Sequence, residues 1–161
     1  MIRAGFGYDI HRLVSGRKLV LGGVLIPSEQ GLLGHSDADV LIHAICDALL
    51  GAAALGDIGH HFPDTNPKFK DISSIEFLVV VKQLVQAAGY QVTNIDATVV
   101  LERPRIAPFV SEMRQNIALA LGLEIGVVSV KATSNEGLGA LGKGEGCAAY
   151  AVASLEQFPA N

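Results

Sequence analysis

The chain has 161 residues, half of them hydrophobic, which suits a single domain over residues 1–161 with a substantial core. Twelve Lys plus Arg against 16 Asp plus Glu give a net charge of −4, so no broad basic field favours nucleic acid as a partner. The sequence has neither an unbroken apolar run of membrane-span length nor a signal-peptide layout at its start, and a cytoplasmic, bacterial-type protein with no membrane contact is expected. Its two cysteines, Cys46 and Cys147, have no ligand-pair spacing and suit core packing in a reducing compartment.

From Ile2 to Arg12 the chain alternates with period two, placing Ile2, Ala4, Phe6, Tyr8 and Ile10 on one face of a strand. Gly5, Gly7, Asp9 and His11 share the other face, where the glycines leave room for something to approach the backbone. Asp9 and His11 make a two-ligand half-site for zinc that needs a third ligand. Lys18 to Pro27 reads as one extended segment with a bend or bulge at Gly22-Gly23, and Gly31 to Ser36 is a glycine-rich run leading into a helix. That helix, predicted over Ser36 to Gly51 with Ser36 as N-cap, is apolar nearly all round except for Asp39, His43 and Asp47, which recur every four residues on one face. A buried helix carrying three ionisable groups must satisfy them with a metal, a charge pair or a hydrogen-bond network, and a structural network and a metal site both stay open. His43 is the natural third ligand beside Asp9 and His11, and such a set leaves a fourth tetrahedral position free, as in catalytic zinc sites. Helical spacing offers Asp39 or Asp47 as the group that orients His43. His35 and Ser36 lie where first-turn amides could meet a phosphate, with simple capping as the alternative.

Leu55 to Pro67 is a polar, proline-containing loop in which Asp57 and Asp64 either face a ligand or serve turn chemistry. Ser73 or Ser74 caps a second helix that ends at Gly89, followed by a strand over Val92 to Leu101. Pro104 and Pro108 frame a turn into a third helix at about 108–121, closed by Gly122, and Val127 to Ala132 forms another strand. Thr133, Ser134 and Glu136 follow it and could hold a hard cation such as magnesium. Gly137 to Gly142 spells a dinucleotide-binding pattern, but no βαβ unit of the required length follows. Lys143 and Glu145 could form a buried ion pair or contact an anion at a subunit junction, and residues 147–155 favour a last strand. The order of elements points to an α/β protein of the α+β sandwich kind, a mixed β-sheet with helices packed on one face.

Six ordered pieces carry a resemblance over essentially the whole chain: Gly7 to His11, His35 to His43, Asp47 to Gly59, Phe62 to Thr65, Lys131 to Thr133 with Glu136, and Gly142 to Gly146. The sequence resembles the 2-C-methyl-D-erythritol 2,4-cyclodiphosphate synthase family of the non-mevalonate isoprenoid pathway. The resemblance implies a homotrimer with active sites between subunits, Zn2+ on Asp9, His11 and His43, and Mg2+ or Mn2+ on Glu136 and the substrate phosphates. It implies that Asp57 and Gly59 hold the ribose, with Ile58, Phe62 and Asp64 nearby, and that His35 and Ser36 meet phosphate. The turn Leu101 to Ile106, with Pro104, Arg105, Ala132 and Thr133, would cradle cytidine. Ser134 and Lys143 complete the substrate contacts, and His35, Thr133 and Glu136 are the implied catalytic residues. The expected reaction cyclises a cytidine diphosphate-linked methylerythritol phosphate and releases CMP. A zinc-dependent phosphoester hydrolase and a non-catalytic, zinc-bound isoprenoid-binding trimer are the rival readings. The chain departs from the family pattern at Asn66, where Asp is usual, at Arg105, where Lys is expected, and at Ala140. Where Ala140 stands, a Phe often lines the trimer axis, so the isoprenoid diphosphate binding attributed to some members would lack that contact here.

Overall fold

In the computed structural model, which describes residues 1–158, the alternating N-terminal segment forms strand β1 (Ile2–Ser15). The chain continues through β2 (Leu19–Leu21), β3 (Val24–Ile26), β4 (Gln30–Leu32), α1 (Val40–Ala53), α2 (Ile58–His61), α3 (Ser74–Ala87) and β5 (Tyr90–Val100). After these come α4 (Val110–Leu121), β6 (Val128–Thr133), α5 (Gly139–Gly142) and β7 (Gly146–Gln157). The main sheet has the order β4-β1-β7-β5-β6, antiparallel except between β5 and β6, which run parallel with α4 as their crossover. Helices α1, α3 and α4 cover one face over a single core cluster, so the mixed sheet with helices on one side is as expected.

The glycines of β1 are bare for α1 itself. A Cβ on Gly7 would lie 1.9 Å from the Ala44 carbonyl oxygen and one on Gly5 2.0 Å from that of Ala48. Two strand residues advance about 6.6 Å and four helical residues about 6.0 Å, so small residues at these two periods let helix and strand run in step at backbone contact. Arg3 continues the row, its guanidinium reaching the Ala52 carbonyl at 3.4 Å. This packing carries His43, one residue before Ala44, down onto the face that holds Asp9 and His11. Among the described residues no helix covers the opposite sheet face, and Phe6, Tyr8, Ile10, Tyr150 and Val152 are exposed there, Phe6 at 63%.

Several boundaries differ from the sequence reading. Helix α1 starts three residues later than expected, because Ala38 takes a left-handed φ of 58° and Asp39, not Ser36, is the N-cap. The segment at 18–27 is a hairpin of β2 and β3 rather than one bent strand, with positive φ at both Gly22 and Gly23, and the glycine-rich run begins inside β4, which pairs with the end of β1. Asp39 ties these pieces together: its Oδ1 accepts the Gly22 and Ile42 amides at 3.0 and 3.1 Å, and Oδ2 accepts the Gly23 amide at 2.7 Å. The row Asp39, His43, Asp47 is therefore not a single functional stripe. Gly139–Gly142 is one helical turn, consistent with setting the dinucleotide pattern aside, and among the described residues no ion pair joins the exposed Lys143 and Glu145. Cys46 and Cys147 are free and buried, and no helix among the described residues is long and apolar enough to cross a membrane.

Asp39 yields a stability prediction. Both oxygens accept backbone N–H groups, so an amide at this position turns an NH2 toward a buried donor whichever way it faces. Asp39→Asn should cost about 1–3 kcal/mol, the scale for a buried group left unsatisfied. Burial, with Asp37 nearby, pushes the Asp39 carboxyl up to about 6 despite its three amide partners. A carboxyl raised above its unfolded value adds stability at low pH that is lost as pH rises through the folded value. The gap in thermal stability between wild type and Asp39→Asn should accordingly be wider at about pH 5 than at about pH 7.5, and an equal gap would count against this account.

Candidate metal centre and substrate cavity

Strand β1 delivers Asp9 and His11 two residues apart, and α1 delivers His43 from above. Asp9 Oδ2 lies 2.9 Å from His11 Nε2 and 3.0 Å from His43 Nδ1, and the two ring nitrogens are 3.3 Å apart. The three side chains offer ligand atoms within 4.8 Å of one another, a group suited to a metal ion. His43 is the most enclosed, with 12% of its side chain exposed. Three lone-pair-bearing atoms converging this closely need a cation or a proton between them. Burial disfavours charge on Asp9 and His11, yet the imidazole hydrogen bonds and charges hold the Asp9 carboxyl well below the usual carboxylate range. The Asp9 carboxylate and the Leu33 carbonyl outweigh burial at His11 and raise it above its ordinary value. One carboxylate and two imidazoles fit zinc and leave a tetrahedral position free for a ligand.

Neither Asp39 nor Asp47 orients His43. Asp39 is held by the hairpin amides, and Asp47 Oδ1 accepts the Ile58 amide at 2.7 Å, fastening α2 to the end of α1. The far nitrogen of His43 instead meets Ser74 Oγ at 2.9 Å and Ser36 Oγ at 3.2 Å. Ser74 was legible only as a helix cap; its residue starts α3, but its hydroxyl turns inward to His43 and Asp37. Ser73 occupies the capping position without a side-chain bond. Arg17 carried no sequence signal of its own. Its guanidinium donates to the carbonyls of Leu32, Gly34 and Ser36 at 3.1, 3.2 and 3.0 Å, holding the turn that presents His35 and Ser36.

A cavity of about 520 Å³ opens over the three ligands and is also lined by His35, Ser36, Ile58, Gly59, Phe62 and Asp64. Phe62 stacks on Phe77 with centroids 4.4 Å apart, and Phe69 meets both edge-on, forming an apolar wall. His35 Nε2 donates to the Asn66 carbonyl at 3.0 Å, joining the glycine-rich turn to the 57–66 loop. Asp57 is exposed, caps α2 through the His60 amide at 2.9 Å and does not line this cavity. A second cavity, of about 390 Å³, is lined by Leu101, Pro104, Arg105, Ile106, Ala132, Thr133 and Ser134. It shares no lining residue with the first. Glu136 sits beside it, exposed, accepting from Ser134 Oγ at 3.2 Å, and Lys143 lines neither. One chain thus brings together Asp9, His11 and His43 with the phosphate candidates His35 and Ser36 in one place, and the cytidine candidates with Glu136 in another.

An Asp/His/His group that could hold a metal ion, opening into a largely apolar cavity on an α+β sheet, has the layout of a metal-dependent enzyme site. The YgbB family model matches residues 2–156, and the chain belongs to that family. A 2-C-methyl-D-erythritol 2,4-cyclodiphosphate synthase of Syntrophomonas wolfei is 61% identical over 156 residues, 97% of this chain and 99% of the relative. The fold is similar to the bifunctional IspDF of Campylobacter jejuni, with 42% identity and a TM-score of 0.94 over 98% of this chain and 43% of that one. It is similar also to a 2C-methyl-D-erythritol-2,4-cyclodiphosphate synthase in a CDP-bound form, with 38% identity and a TM-score of 0.88 over 96% of this chain and all of that one.

Proposed function

We propose that this chain converts 4-diphosphocytidyl-2-C-methyl-D-erythritol 2-phosphate to 2-C-methyl-D-erythritol 2,4-cyclodiphosphate and CMP, as a cytoplasmic lyase of the non-mevalonate pathway. The observation that carries this reading is the convergence of Asp9, His11 and His43 beside the His35–Ser36 turn, in a chain that matches synthases of this name from end to end. In the reaction the 2-phosphate attacks the β-phosphorus, a new P–O bond forms and CMP departs with the electrons of the broken one. Nucleophile and electrophile are both anionic and belong to one molecule, so folding the substrate back and neutralising charge carry the rate, and no side-chain nucleophile is needed. Asp9, His11 and His43 would hold zinc, which when bound would supply positive charge and Lewis acidity to the substrate phosphates.

The protein's own residues do the rest. His35 and Ser36 meet phosphate at the turn held by Arg17. The Leu101–Ile106 turn with Ala132 and Thr133 takes cytidine, Asp57 and Gly59 take the ribose, and Glu136 would hold Mg2+ or Mn2+, which would help neutralise the phosphates. The separation of the two cavities within one chain supports a site completed by a second copy, with residues 57–66 of one subunit facing 101–106 of the next. A homotrimer is supported by the uncovered apolar sheet face, where Tyr8 and Tyr150 rings lie 5.0 Å apart and Phe6 is exposed. Isoprenoid diphosphate binding on a trimer axis would find only a methyl at Ala140.

Phosphorus NMR of the zinc-loaded protein with the cytidine substrate and magnesium tests this directly, with light scattering on the same sample. A cyclic diphosphate with CMP and a trimer mass is the expected result. CMP with an acyclic product would establish a hydrolase, and a fully active monomer would overturn the shared site. Glu136→Gln keeps size but removes the charge, and should leave zinc content unchanged while lowering turnover about tenfold or more and weakening magnesium dependence. Wild-type turnover with the same magnesium titration would return Glu136 to a solvated loop carboxylate.

A further inference from the structure

We infer that Asp37 and Ser74 are positioning residues for the metal centre: together they hold His43 as the Nε2–H tautomer and so aim a free lone pair on Nδ1 at the Asp9 and His11 ligand atoms. The inference rests on the zinc reading above and follows from counting protons. Asp37 is surrounded by donors, taking the Ser74 amide on Oδ2 at 3.0 Å, the Asp39 amide on Oδ1 at 3.1 Å, and the Ser74 hydroxyl on Oδ1 in a short bond. A carboxylate can only accept, so the one proton of the Ser74 hydroxyl is committed to Asp37. Ser74 Oγ therefore turns lone pairs toward His43 Nε2, 2.9 Å away, and only an N–H can meet them. Ser36 Oγ, at 3.2 Å from the same nitrogen, is compatible with either tautomer, so the Ser74 contact decides.

The consequence appears at the other ring nitrogen. With the proton on Nε2, a neutral His43 turns the lone pair of Nδ1 to a point 3.0 Å from Asp9 Oδ2 and 3.3 Å from His11 Nε2, the place where a cation, or without one a shared proton, sits. His11 is set the opposite way, because its Nδ1 lies 2.7 Å from the Leu33 carbonyl, which accepts and cannot donate, leaving the Nε2 lone pair free. The two histidines thus carry opposite tautomers, and both lone pairs converge where the Asp9 oxygen does. For His11 the outer partner is backbone. For His43 it is a serine on α3 backed by a carboxylate on the turn before α1, with Ser74 fully buried. Outer partners of this kind set the tautomer and the ring orientation of metal-bound histidines.

A purely structural role for the pair would be to cap α3, since Asp37 also accepts the Ser74 amide. Ser74→Ala separates the two roles, because the residue-74 amide still bonds Asp37 while the hydroxyl is lost. Zinc affinity is read by competition with a chromophoric chelator, and the His43 tautomer by long-range 1H–15N NMR of zinc-free protein at a pH high enough to keep both imidazoles neutral. Ser74→Ala should weaken zinc binding about 10–100-fold and Ser74→Thr, which keeps the hydroxyl, by no more than about threefold. The wild-type and Ser74→Thr spectra should show the proton on Nε2, and Ser74→Ala a mixture. Wild-type affinity with an unchanged Nε2–H in Ser74→Ala would overturn the inference, as would a loss in Ser74→Thr equal to that in Ser74→Ala. A wild-type spectrum with the proton on Nδ1 overturns it whatever the variants do. Failure of the wild type to bind zinc would strike the metal reading instead, and the tautomer, read without metal, would still decide this one.

Discussion

Gly7→Ala should lower the midpoint of thermal unfolding by about 6–12 °C and weaken zinc binding at the same time. The added Cβ would stand 1.9 Å from the Ala44 carbonyl oxygen and 2.8 Å from the Ala48 nitrogen, and both are backbone atoms of α1 with no flexible side chain to give way. Relief requires the helix to lift from the strand or the strand to bow, and overpacking of this kind costs about 3 kcal/mol, or more where backbone must shift. For a chain of this size each kcal/mol is worth about 2–4 °C, which sets the expected fall. The site feels the same displacement, because His43 precedes Ala44 and its distance to Asp9 is set by how deeply α1 sits on β1. Gly51→Ala is the control. It lies on α1 with nothing within 4 Å of its built Cβ, so it should be neutral or stabilising by up to about 1 kcal/mol through helix propensity. A Gly7→Ala protein with wild-type stability and zinc affinity would show that the helix does not rest on the strand backbone as described.

That example marks the limit of what sequence made legible. Period two in β1, the apolar helices and the Gly122 cap placed nearly every large element, because each is dictated by local pattern. Gly5 and Gly7 were recognised as a bare face, but pattern alone could not say whether a ligand or a helix would fill it; the matching row Ala44, Ala48, Ala52 was the unread half of the signal. The group Asp9, His11 and His43 was legible as a metal candidate from residue type and spacing, with a structural network left open beside it. Its supports were not. Ser74 lies 31 residues from His43 and Arg17 lies 15 to 19 residues from the carbonyls it holds, so neither is visible to any periodic argument. Asp39 and Asp47 were placed on the right face of α1 and given the wrong partner, because a helical wheel ignores what loops bring to the helix ends. The β2–β3 hairpin and α2 supply the amides that claim those two carboxylates.

His43→Ala should cut zinc affinity by more than the roughly 10–100-fold that losing only an outer partner of a ligand costs, and turnover should fall with it by about a hundredfold or more. Removing this ring leaves Asp9 and His11, a two-ligand half-site on one strand, with no nitrogen arriving from α1. The helix itself should persist. Ala is the best helix former, the residue-43 amide keeps its 3.0 Å bond to the Asp39 carbonyl, and the capping contacts of Asp39 are untouched. Helical content by circular dichroism should thus stay at the wild-type level while bound zinc disappears. The remaining pair also makes the residual binding more sensitive to acid. His11 is raised by the Asp9 carboxylate once burial is outweighed, so zinc must displace a proton there, and apparent affinity should climb as pH rises through the range where His11 titrates. Full zinc occupancy in His43→Ala, measured by atomic emission after dialysis, would remove His43 from the ligand set and leave the convergence of the three side chains a hydrogen-bonded network of the buried helix.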